Sequence, residues 1–365
     1  MNTNESNSII DGNAIIFCES AFRNTYGKTA HGLVRFTRRY RVMSVVDSTC
    51  AGQDAGMVLD GTSSGIPIHA SLADARAHCA SRGETATHLV IGLATDGGKL
   101  TPEARHAVKN ALEAGLNVDN GLHEFISEDP EMVQLAAETG AIIRDIRKPP
   151  PHSALHFFSG EIEQVRALKV AVLGTDSAVG KRTTAWRIVQ GFETKGRMTE
   201  LIGTGQTAWL QGARYGIVLD SLINDFVAGE IEHAVYRAWS AKHPDAIVIE
   251  GQGSLMNPAY PGGFEIMAAG RPDAIVLQHA PARKEYDGFP GYPIHPLGQQ
   301  IQAVELISGK PVVAITINHE MIPKEQIAAV CKSIEMVVGL PAIDVLQEGA
   351  DRLVELLSLH LKNNS

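Results

Sequence analysis

The sequence predicts an α/β protein of two domains, each a parallel sheet covered by helices. Two observations carry this. Short apolar runs alternate with amphipathic stretches along the chain, the pattern of strands that feed covering helices. A run of three prolines, Pro149 to Pro151, then interrupts that alternation near the middle, where neither a helix nor a central strand can continue. With 365 residues, each half is long enough to bury its own core.

In the first half "AIIFC" (14–18), "RVMSVVD" (41–47), "HLVIGLA" (88–94) and "AIIRDI" (141–146) read as strands. Helices are predicted over 71–83 and 101–115, the second with Thr101 as N-cap, Pro102 in the first turn and Gly115 as terminator. The strand ends carry Asp47, Gly92 and Asp96-Gly97-Gly98, on the side where such sheets bind ligands. The boundaries expected are 1–148 for the first domain, 149–164 for a proline-rich linker and 165–365 for the second domain. In the second, strands are predicted at 168–174, 199–205, 246–251, 274–280 and 311–318. A long helix is expected over 220–243 and a last one over 345–361.

Composition excludes several classes. A net charge of −9 and a pI near 5.9 argue against a nucleic-acid surface, which needs clustered cations. The nearest approach, "RFTRRYR" at 35–41, is read as a solvated strand or turn. No apolar run reaches the length of a membrane span, and the polar "MNTNESNSIIDGN" start has no leader pattern. Cys18, Cys50, Cys79 and Cys331 are too scattered for a zinc site or a disulfide framework. His152 and His156 lie four apart but follow the prolines and have no third ligand nearby. No metal site is expected, and the protein is read as cytoplasmic.

The chemistry concentrates at "GTDSAVGKRTT" (174–184). A strand runs into a glycine-bounded turn and then a helix, so backbone N–H groups and the helix N-terminus converge on an anion. Gly174, Thr175, Asp176, Ser177, Ala178, Val179, Gly180, Lys181, Arg182 and Thr183 are therefore the expected phosphate-binding residues. Where phosphate loops place a metal-binding hydroxyl after the lysine, this one has Arg182. A guanidinium only donates hydrogen bonds and cannot hold Mg²⁺, but it grips a phosphate with two parallel bonds. Thr183 serves as a metal hydroxyl only if the helix register shifts by one residue. The residues alone describe a loop that holds a phosphorylated ligand without splitting it.

"GTDSAVGK" and "DAIVIEGQGSL" (245–255) resemble the loop and strand end of dethiobiotin synthetases, P-loop ligases in which a threonine and a glutamate help hold Mg²⁺. That resemblance implies Glu250 at the site. A second resemblance covers most of the chain, through "GKTAHGLVRF" (27–36), "VVDSTCAGQDAG" (45–56), "VIGLATDGGKL" (90–100), "GLHEFISEDPE" (121–131), "DIRKPP" (145–150) and "GTGQTAWLQGARYGIVLDSLINDFVAGEIE" (203–232). These are similar to a family first catalogued as a domain of unknown function. It pairs a Rossmann-like N-terminal domain with a P-loop NTPase-like C-terminal one, and its characterised members are D-glutamate N-acetyltransferases. The resemblance implies acetyl-CoA as co-substrate and D-glutamate as small-molecule acceptor; a homo-oligomer is expected besides. A Mg-dependent ligase and a non-catalytic sensor of a phosphorylated metabolite are the alternatives.

Acetyl transfer to an amine needs a base, donors for the oxyanion and partners for the substrate carboxylates. Glu250, Asp225, Asp220 and His279 are the candidate catalytic groups. Gln206, Thr207 and Gln252 are the candidate oxyanion donors, with Ser254 beside Gln252. Arg214, Arg283 and Lys284 are the candidate carboxylate partners. Lys28 in "YGKTAHG" lacks the glycines of a second phosphate loop.

Overall fold

The computed structural model describes residues 11–362, so the N-terminal stretch used above to argue against a leader falls largely outside the described residues. The chain divides into two compact units. One takes the chain up to Pro149 together with Gln206–Gly212, and the other takes Pro150–Gly205 and everything from Ala213 onward.

The first unit builds β1 (Gly12–Phe17), α1 (Lys28–Arg35), β2 (Tyr40–Val46), α2 (Ala55–Asp60), β3 (Ile68–His69) and α3 (Leu72–Ser81). It continues with β4 (His88–Ile91), α4 (Pro102–Glu113), β5 (Asn117–Asn120), α5 (Pro130–Thr139) and β6 (Ile143–Asp145). Its six strands pair in the order β3-β2-β1-β4-β5-β6, all parallel, which is the doubly wound Rossmann order. Local chemistry sets the helix ends. Thr101 caps the N–H of Ala104, Pro102 starts α4 where its missing donor costs nothing, and Gly115 follows the helix with φ 75.

The second unit follows with β7 (Leu168–Gly174), α6 (Lys181–Thr194), β8 (Thr199–Gly203), then α7 (Gln206–Leu210), which counts with the first unit, and β9 (Tyr215–Gly216). Next come α8 (Asn224–Lys242), β10 (Ala246–Glu250), α9 (Phe264–Gly270), β11 (Ala274–His279), α10 (Leu297–Ser308), β12 (Val312–Ile317), α11 (Ile327–Val338), β13 (Ala342–Ile343) and α12 (Asp351–Ser358). The seven strands run β13-β12-β11-β7-β10-β8-β9, again all parallel. Every residue of β7 is buried, as expected of a central strand covered on both faces. Its carboxyl end delivers the glycine loop to the rim of the sheet between β10 and β11.

Three expectations need correcting. The helix expected from 220 starts at Asn224, because Leu219–Ser221 forms a 3₁₀ turn and Ile223 is extended (φ −69, ψ 133). The last helix spans only Asp351–Ser358. Asp344 draws in the N–H groups of Leu346 and Gln347 to form a turn, and Gly349 takes a left-handed φ of 81. The "RFTRRYR" segment is not simply solvated. Arg39 is buried, lies 3.6 Å over the Trp209 ring and donates to the Trp209 carbonyl at 2.7 Å.

The four cysteines are buried and free. Among the described residues no three His, Cys, Asp or Glu side chains gather to hold a metal ion. His156 is instead bonded to Glu230 and stacked on His233. No described helix is long and apolar enough to cross a membrane.

Candidate functional site

The loop after β7 is built around its own lysine. Ala178 (φ 52) and Gly180 (φ 106) are left-handed, which turns the backbone sharply before α6 begins at Lys181. The Lys181 ammonium folds back over the strand end and donates to the carbonyls of Asp176 (2.6 Å) and Gly253 (2.8 Å). A side chain at position 174 would stand 2.9 Å from Lys181 Cδ and Nζ, so Gly174 leaves the room the lysine uses. Burial pulls the Lys181 pKa down to about 8, although Asp176 and Glu250 act to raise it.

Asp176 is fully buried and joins three loops. Its carboxylate accepts from Ser177 N (2.7 Å), Asn257 Nδ2 (2.8 Å), Arg283 Nη1 (2.7 Å) and Asp287 N (2.9 Å). Arg283 also donates to the Ser177 carbonyl and, in a fork, to Glu320 at 2.7 and 3.1 Å. Burial lowers the Arg283 pKa, but Glu320 and Asp176 outweigh it and the group stays charged. Four of its five N–H donors are thus engaged within the protein.

Glu250 ends β10 and is buried. Its carboxylate accepts the Thr204 N–H at 3.0 Å, while Gln252 Nε2 donates to Thr204 Oγ1 at 2.8 Å. Burial raises the Glu250 pKa, and the strongest opposing influence is the positive charge of Arg182, followed by the Thr204 N–H and Lys181. Arg182 thus supplies positive charge to the strand-end carboxylate that a metal would otherwise neutralise. These residues do not fit Mg²⁺: the hydroxyl position holds a donor-only cation whose charge already acts on the buried Glu250.

On the other side of the loop, His279 Nδ1 bonds Thr175 Oγ1 at 2.9 Å. Burial alone drives its pKa down to about 4.

The expected residues 174–183, Glu250, Gln252, His279 and Arg283 therefore converge at the carboxyl ends of β7, β10 and β11. Lys284 is exposed on the loop that Arg283 anchors. Arg214 just before β9, Asp220 between β9 and α8, and Asp225 in the first turn of α8 are all exposed. Gln206 and Thr207 are buried in the first unit, where Thr207 Oγ1 lies 3.1 Å from Thr29 Oγ1.

Sequence reasoning missed the turn Asn318-His319-Glu320 at the end of β12, and Asp344 just past β13. Its only linear signal is three polar residues straight after the apolar run "VVAITI".

The first unit has the Rossmann strand order without a dinucleotide turn. Asp47, at the end of β2 where such sheets hold a ribose, is fully buried. It accepts from Phe22 N, Thr49 N and Thr49 Oγ1 at 2.6–2.9 Å.

Fold and site together define a two-domain α/β protein with a modified phosphate loop, and comparison with known proteins agrees. The DUF1611 profiles match in both halves: the Rossmann-like N-terminal domain at residues 48–149 and the P-loop C-terminal domain at 156–354, both described as domains of unknown function. The chain belongs to the DUF1611 family.

A DUF1611 family protein from Anabaena variabilis has a similar crystal structure, with TM-score 0.85 and 29% identity over 95% of this chain and 99% of that one. Two curated relatives are named D-glutamate N-acetyltransferase. The one from Tritonibacter scottomollicae is 33% identical over 74% of this chain and 80% of its own length. The one from a Pseudoalteromonas species is 29% identical over 73% and 79%. The protein is accordingly an enzyme of the acyltransferase class.

Proposed function

We propose that the protein moves the acetyl group of acetyl-CoA to the amino group of D-glutamate, giving N-acetyl-D-glutamate and CoA. The observation that carries this reading is Arg182 itself, a cation standing at the first turn of α6 where a metal-binding hydroxyl would stand, its charge acting on the buried Glu250. Coenzyme A offers phosphates to be held, not split. A loop with a built-in cation in place of the metal hydroxyl suits a ligand that is only anchored. The names of the two relatives supply the acceptor.

In this reading residues 174–183 hold the diphosphate, and Lys181 turns from the Asp176 and Gly253 carbonyls to meet it. Gln252, beside Thr204, is a donor for the oxyanion. Arg214 and Lys284, the exposed cations of the three nominated, take the substrate carboxylates, while Arg283 braces the loop. The amine attacks the thioester carbonyl, a C–N bond forms and the C–S bond breaks. The reading takes the enzyme to be cytoplasmic and a homo-oligomer.

The test is thiol release from acetyl-CoA against a panel of D- and L-amino acids. Release with D-glutamate and formation of its N-acetyl product support the reading. Steady ADP release from ATP with Mg²⁺, without thiol release, overturns it.

A further inference from the structure

Building on the acetyl-transfer reading, we infer that His319 is the catalytic base that accepts the amine proton, with Asp344 as its positioning residue. The two lie at the carboxyl ends of neighbouring parallel strands, β12 and β13. His319 Nδ1 is 2.5 Å from Asp344 Oδ2. A carboxylate only accepts, so Nδ1 carries a proton, and the tautomer this fixes has its lone pair on Nε2. Asp344 is 1% exposed and held rigidly, since its other oxygen takes the Leu346 and Gln347 N–H groups and its own N–H bonds Glu348. The His319 side chain is 29% exposed and open to a ligand.

Both neighbours of His319 are tied to the phosphate loop. Asn318 N donates to the His279 carbonyl at 2.7 Å, and His279 bonds Thr175. Glu320 is forked to Arg283, which bonds Asp176. The charged groups on these links are Asp344, Glu348, Glu320 and Arg283, and Glu335 of α11, paired with Arg352 of α12, lies at the other end of β13. A base oriented by a buried carboxylate at the end of a sheet strand, beside an anion-binding loop, is the arrangement expected of a proton acceptor.

The other candidates are engaged or mismatched. Asp176 already accepts four hydrogen bonds. Glu250 accepts the Thr204 N–H and is balanced by Arg182. His279 has Nδ1 on Thr175 and too little basicity in its buried setting. His295 is exposed and bonded to Tyr286. Asp220, before α8, and Asp225, in its first turn, are both exposed.

The step balances. The ammonium of the substrate loses one proton to solvent and attacks as the amine. The tetrahedral adduct gives its second proton to His319 Nε2, and the C–S bond then breaks. The departing thiolate takes that proton back, leaving the neutral amide, free CoA thiol and the starting imidazole.

The experiment compares wild type with His319→Ala and Asp344→Asn in the full-length enzyme. His319→Ala is expected to lower kcat by roughly 10²–10⁴-fold, with the KM for acetyl-CoA little changed and part of the rate restored by added imidazole. The amide introduced by Asp344→Asn keeps an acceptor for Leu346 and Gln347 but donates to Nδ1, forcing the proton onto Nε2. It should lower kcat by about 10³-fold or more with an unchanged melting temperature.

A kcat left intact in His319→Ala, or a loss matched by a rise in acetyl-CoA KM without imidazole rescue, overturns the inference while the acetyl-transfer reading stands. A wild-type protein that releases no thiol with any amine overturns both.

Discussion

Asp176 Oδ2 lies 2.7 Å from Arg283 Nη1, and this buried ion pair joins the phosphate loop to the loop that follows β11. Asp176 has no exposed surface and the Arg283 side chain only 13%, so removing one partner strands a charge in a poorly solvated place. Asp176→Ala should destabilise the protein by roughly 3 kcal/mol and weaken CoA binding, because the loop loses its tie to Asn257 and Asp287 as well. Arg283→Lys should recover only a small part in the corresponding series. One ammonium cannot span Asp176, the Ser177 carbonyl and Glu320 in the geometry of a fork. Denaturant melts with CoA titrations check both, and an Arg283→Lys protein as stable as wild type would refute the bracing role.

Arg182 is the residue that most separates this loop from one that works with a metal. Arg182→Thr restores a hydroxyl at the first turn of α6 but removes the charge that balances Glu250. The expected result is about a 10–100-fold loss of CoA affinity, the scale of a charge-assisted hydrogen bond, together with a new response to Mg²⁺ that the wild type lacks. Calorimetric titration of CoA with and without Mg²⁺ reads both effects. Equal affinity and an equal acetyl-transfer rate in the variant would remove Arg182 from the anchoring role.

How much of this was legible depends on how far apart in sequence the partners lie. The β7–loop–α6 unit could be read directly, because strand, glycines and lysine are contiguous and each limits the backbone in a known way. Glu250 and His279 were visible as polar residues closing apolar runs. His319 and Asp344 were not, since their pairing spans 25 residues and exists only because β12 and β13 are neighbours. The internal partners of Arg283 were hidden for a similar reason: Asp176 and Glu320 lie 107 and 37 residues away. Gln206 and Thr207 follow directly from β8, yet the stretch Gln206–Gly212 packs with the first unit. There Gln211 donates to the Gly32 and Phe36 carbonyls. Periodicity describes a helix but not the sheet it covers.

His279 gives the fold a specific acid sensitivity. Burial holds its pKa at about 4 against an ordinary 6.5, so the folded protein keeps the ring neutral where the unfolded chain binds a proton. Between those two values the unfolded state carries more protons, and stability must fall as the pH drops from about 6.5 to about 4. Because the ring is partly exposed, its share is set at roughly 1–2 kcal/mol over that window. His279→Asn, which does not titrate there, should lose less of its melting temperature between pH 7 and pH 4.5 than the wild type does. Carboxylates that titrate in the same range affect both proteins alike, so the difference between the two curves isolates the imidazole. Parallel curves would mean that His279 titrates normally and that its bond to Thr175 does not depend on a neutral ring.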